Sequence, residues 1–196
     1  MKKALDTPLG VAACGLVAGM AGAVLVSLIG SAYQRTRAGG SDDGPEEANT
    51  GSGGGGDPSA AGITAGEALA DGPDMPPNMN RVTATFVQKV ATGIFGASLD
   101  KDQRYVAGFA WHLLYGGFWG VVYALLRSSL RLPALVLSPL HGLAVWAIGP
   151  GWLVPRMKLM LAPGEQELHT RAMVCGIHPL YSALVAGVYH WLAGKE

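Results

Sequence analysis

Three histidines, His112, His141 and His178, fall well inside otherwise apolar stretches of this chain, a fourth, His190, stands near the end of the last stretch, and Cys175 sits one helical turn before His178. A buried imidazole switches charge in mild acid and is a common metal ligand, so these residues are candidates for a layer that handles protons or holds a metal ion or haem. Cys175-x-x-His178 would put a thiolate and an imidazole on one helical face, acceptable to zinc or copper, although a lone pair at that spacing specifies no metal. The plainer reading is a set of packing histidines, each satisfied by a backbone carbonyl or a neighbouring helix. A second group, Glu165, Glu167 and His169, lies in a polar stretch; Glu165 and His169 at i, i+4 are the nearest acid-base pair and equally a solvated ion pair. HExxH, GxSxG and paired carboxylates within an apolar helix are all missing from the sequence, which gives no catalytic residue and weighs against an enzyme.

Positioning these groups falls to long apolar helices. Arg104 to Arg127 encloses 22 residues without a formal charge, which at 1.5 Å per residue is roughly 33 Å, enough for the hydrocarbon core of a bilayer. A histidine inside such a helix must face protein or trapped water, so His112 demands partner helices. Leu9 to Ile29 is a first partner, Leu132 to Gly149 a second and Ala172 to Ala193 a third. The Leu132 run is the shortest; Pro139 and His141 interrupt it and Pro150-Gly151 closes it, so it reads as a kinked helix or a re-entrant hairpin. Four spanning runs put both termini on one side, and the basic residues of the connections do not decide which side that is.

Small residues mark where these helices approach one another. Gly15, Gly19 and Gly22 form a flat stripe in the first helix, and Gly116 and Gly120 repeat the GxxxG spacing in the central one, beside a face carrying His112, Tyr115 and Trp119. Counted from the charged helix ends, His112, His178 and His141 lie roughly 12, 10 and 14 Å below the same face, so three helices bring them to one layer. Cys14 and Cys175 read as small buried hydrophobes. A lipoprotein-type reading of Val11 to Cys14 lacks an apolar region before it, and cleavage after Ala32 competes with retention of the first helix.

The whole chain is 49% apolar and only 14% charged, greasier than a soluble domain of average composition, with a formal net charge of zero. That balance hides a segregation: residues 34–80 hold Arg35 and Arg37 against eight acids, a net of −6. With no compact basic patch, a nucleic-acid partner is not expected; the expected partners are the lipid bilayer and either further copies of this chain or another membrane protein. Residues 34–80 are also rich in glycine, proline and acid, with too little apolar surface to offset chain entropy, so they read as a disordered linker. Beyond it Val82, Phe86, Val90 and Ile94 share a face four residues apart, predicting an amphipathic helix in the membrane interface, or a helix that binds a partner protein. Asp100 with Gln103 predicts the N-cap that restarts the chain into the central helix.

The organisation expected is therefore all-α: a first transmembrane helix over 1–33, the linker over 34–80, an amphipathic helix over 81–100 and a bundle over 101–196 with three further transmembrane helices.

The order HLLYGGFWGVVYALL from His112 to Leu126, a helix with His141, a loop through Pro155 and Pro163, then a glutamate and Cys175-Gly176-Ile177-His178 resembles the YagU-type bacterial inner-membrane proteins. The resemblance covers Val106 to about Trp191 and implies a multi-pass protein of the bacterial cytoplasmic membrane, with a loose link to acid tolerance and no established catalytic residues. Two functions are expected from different classes. One is a structural, stress-response or transport-accessory role; the other is a proton-, metal- or haem-handling site built from the intramembrane histidines.

Overall fold

In a computed structural model of the chain, residues 7–38, 80–130, 132–166 and 168–194 are described; the linker expected over 34–80 lies outside the described residues, apart from 34–38 and Asn80. Those described residues are helical with no strand. Helix α1 runs Pro8–Ala38, α2 Asn80–Phe95, α3 Lys101–Ser129 and α4 Ala134–Ile148; a π-helical turn, Gly149–Leu153, leads into the short α5, Val154–Arg156, and α6 spans Leu168–Ala193. Four helical stretches are long and apolar enough to cross a membrane: Pro8–Ile29, Lys101–Ser129, Ala134–Arg156 and Thr170–Ala193.

Helix α1 is longer than the apolar run that predicts it, because Tyr33 to Ala38 continues the helix into the polar sequence taken as linker. The third stretch is corrected more substantially. Pro150-Gly151 was expected to end it at 18 residues, yet 23 residues run from Ala134 to Arg156. Proline has no N–H for the ladder, and the chain passes it by opening one wider turn in which the Val154 N–H reaches the Gly149 carbonyl. The helix then stops on Lys158, which takes a left-handed φ of 55°. The N–H of Leu159 closes back on Val154 and that of Lys158 on Pro155, a Schellman-type end.

The glycine stripes explain which helices touch. A Cβ built on Gly15 would lie 2.6 Å from the Gly120 carbonyl oxygen, and one on Gly116 2.7 Å from the Ala23 side chain. The contacts run in opposite directions along the two chains, so α1 and α3 are antiparallel, with both GxxxG motifs pressed backbone to backbone. Gly22 turns to the other flank of α1, where Val185 and Tyr181 of α6 occupy the space a side chain would need. Helix α6 packs in turn on α4 through Gly142, whose missing Cβ would lie 2.7 Å from the His178 carbonyl. Around the bundle the order is thus α3, α1, α6, α4, and the core contains Ala18, Ala23, Trp119, Tyr123, Val145 and Val185.

Helix α2 lies across the end of the bundle where α3 begins. Ala84 sits directly on Gly108 of α3, and Phe86 stacks on Trp111 with ring centroids 4.7 Å apart. Lys89 donates from Nζ to the Met157 and Lys158 carbonyls at 3.2 and 3.3 Å, where α5 ends and carbonyls accumulate partial negative charge. Gly96 stops α2 with a φ of 63°. Asp100 then forms the capping box read from the sequence: Oδ1 accepts from the Gln103 N–H at 2.8 Å, and Gln103 Oε1 accepts from the Asp100 N–H at 3.1 Å. Of the apolar face expected on α2, Val82 and Phe86 turn inward, whereas Ile94 is exposed together with Phe95.

Candidate functional site

Where α2 crosses the bundle it roofs a cavity of about 150 Å³. Gly149, Pro150 and Leu153 of the π turn line it together with Ala23 and Val26 of α1. Gly149 serves the cavity by having no side chain, since a Cβ there would come within 2.7 Å of the Tyr115 hydroxyl. Phe86, Trp111, Tyr115, Trp119 and Tyr181 provide aromatic walls. Tyr181 is held in place by its hydroxyl, which donates to the Gly116 carbonyl at 2.6 Å.

Two of the histidines singled out in the apolar helices line this space, His112 from α3 and His178 from α6. Both are buried, at 9% and 8% exposure, which matters because water is not at hand to satisfy them. His178 Nδ1 donates to the Val174 carbonyl one turn earlier at 2.7 Å. That bond fixes the tautomer, leaving Nε2 of a neutral ring as an acceptor. His112 lies against the Ala23 backbone, and its Nε2 is buried without a hydrogen-bond partner among the described residues.

His141 is placed differently. Its Nε2 donates to the Trp119 carbonyl at 3.1 Å, and its Nδ1 accepts the Ser182 hydroxyl at 2.8 Å. Both nitrogens are therefore committed to holding α4 against α3 and α6, and the ring is further enclosed by Trp119 and Tyr123. Cys175 is a free, half-buried thiol outside the cavity lining, and the ring nitrogen of His178 nearest its own backbone is already engaged. Among the described residues no group of three or more His, Cys, Asp or Glu is arranged to hold a metal ion. Glu165 is exposed and accepts the Ala162 N–H through Oε2 at 3.3 Å, closing a turn; the side chains of Glu167 and His169 lie outside those described.

Sequence reasoning missed Tyr181, Ser182 and the roof formed by α2. Tyr181 had a readable signal, because it stands three residues after His178 and so shares its helical face. Ser182 had none: a serine in an apolar run declares its partner only once the neighbouring helix is in position. No family model, curated protein or solved structure matches this chain.

Proposed function

We propose that this is a small multi-pass protein of the bacterial cytoplasmic membrane whose role is non-catalytic, of a structural, stress-response or transport-accessory kind, and that it works by binding at the His112–His178 cavity. The four helices of spanning length support the multi-pass reading, α2 lying in the interface with Ile94 and Phe95 toward lipid. The resemblance of the His112–Leu126 and Cys175–His178 segments to YagU-type proteins supports the bacterial membrane. The observation that carries the binding reading is the lining itself. Two imidazoles converge on a mainly aromatic and aliphatic space whose other polar residues among those described are Thr83, Tyr115 and Tyr181, with no carboxylate or thiol.

Filling the space tests this. Val145→Phe adds bulk from the cavity wall without altering any polar group. It should insert and fold, yet fail to restore whatever defect deletion of the chain causes in its host. Full rescue by a folded, cavity-filled protein would remove the binding reading and leave a purely structural role.

A second reading, proton handling by the same pair, is favoured by the placement of both imidazoles on one cavity. Its test is separate. Proton leak through liposomes containing the protein should differ between His112→Ala and the unaltered chain in mild acid and not at neutral pH. Identical profiles from a folded double variant with His178→Ala would return both residues to ligand binding or packing.

A further inference from the structure

The cavity's chemistry specifies its guest more narrowly than its shape alone. A space of about 150 Å³ matches the size at which a dry apolar cavity accepts a benzene-sized molecule. This one differs from an apolar cavity in its polar groups: beside the hydroxyl-bearing Thr83, Tyr115 and Tyr181, two imidazoles line it. His178 Nε2 is an acceptor by tautomer, since its Nδ1 gives its proton to Val174. His112 Nε2 is buried and unpartnered. A hydroxyl group can give its one hydrogen to His178 Nε2, whereas a carbonyl offers that nitrogen nothing. The aromatic walls from Phe86, Trp111, Trp119 and Tyr181 suit a flat ring.

We infer that the cavity binds a small aromatic molecule bearing one hydroxyl, of the phenol class, with the ring between the aromatic walls and the hydroxyl donating to His178 Nε2. The inference rests on reading the cavity as a binding site and adds the class of ligand.

The experiment uses the full chain in lipid nanodiscs, with 4-fluorophenol and fluorobenzene as fluorine-NMR probes. Saturable binding, displaced by excess unlabelled phenol, separates the site from partition into lipid. We expect 4-fluorophenol to bind about tenfold more tightly than fluorobenzene, the ratio expected from roughly one net hydrogen bond. His178→Phe, which keeps a ring in place, should abolish that preference while leaving fluorobenzene binding within about twofold. Equal affinity of the two probes in the unaltered protein would overturn the hydroxyl assignment and leave a generic apolar site. Saturable binding of neither probe would overturn the inference and the binding reading together. Because the first comparison needs no variant, a misfolded substitution does not blunt it.

Discussion

The His141 imidazole and the Trp119 backbone carbonyl meet at 3.1 Å, a hydrogen bond from the middle of one spanning-length helix to the middle of another. An α-helical carbonyl retains a second lone pair after its ladder bond is made, and His141 takes it. The same ring accepts the Ser182 hydroxyl, so one side chain ties α4 to α3 and to α6. We expect His141→Leu to destabilise the bundle by about 1–2 kcal/mol, since it removes both bonds and leaves the Ser182 hydroxyl buried. A double-mutant cycle with Ser182→Ala, read by unfolding in mixed micelles, should give a coupling of about 0.6 kcal/mol or more. Additive effects would mean that the bond contributes nothing net.

The glycine contacts predict opposite outcomes at two glycines. Any side chain on Gly19 would enter the Gly116 carbonyl, so Gly19→Val should force α1 and α3 apart at a cost of about 3 kcal/mol or more. Gly187 has nothing within 4 Å of where its Cβ would stand, and Gly187→Ala should be neutral or stabilising by up to about 1 kcal/mol. Thermal unfolding of the two variants beside the parent checks both signs.

Two buried tyrosines make a similar contrast. The Tyr181 hydroxyl bonds the Gly116 carbonyl, so Tyr181→Phe should cost about 1 kcal/mol. Tyr123 is wholly buried, but its hydroxyl has no hydrogen-bond partner among the described residues. Tyr123→Phe should therefore leave stability unchanged or raise it. A loss from Tyr123→Phe as large as that from Tyr181→Phe would reveal a bonded hydroxyl in the native protein.

The helices were legible in the sequence because bilayer-length apolar runs and charged ends leave few alternatives, and the Asp100 capping box needed only a local pattern. The GxxxG spacings named the surfaces that meet, Gly15 and Gly19 against Gly116 and Gly120, since backbone approach requires small residues on both sides. Depth arithmetic put the three histidines in one layer but carried no information about rotation. That is why it did not separate His141, bonded on both nitrogens, from His112 and His178, which line the cavity. The helical passage through Pro150 was also hidden, because a proline-glycine pair reads as a stop in the sequence, whereas the chain opens a π turn there and continues. Residues 39–79, most of the expected linker, lie outside the described residues and add nothing to this comparison.

Helix α2 is the element of the cavity wall with the slightest attachment, and its removal should open the site without unfolding the bundle. It is held by the fit of Ala84 on Gly108, by Phe86 against Trp111 and by Lys89 at the end of α5. Gly108→Ile would drive a branched side chain into the Ala84 backbone, 2.8 Å from where even a Cβ would lie. The other helices do not use Gly108, and their mutual contacts through Gly15, Gly22 and Gly142 remain. Amide exchange over residues 82–92 should accelerate at least tenfold in this variant, while that of α1 and α6 stays within about twofold. Trp111 emission should shift to the red as its stacking partner leaves. Lys89→Met, which removes only the bonds to Met157 and Lys158, should produce the same changes in weaker form, corresponding to about 0.5–1 kcal/mol. If exchange in α2 and α6 rose together in Gly108→Ile, the roof would be part of the core's cooperative unit, and access to His112 and His178 would require the bundle itself to open.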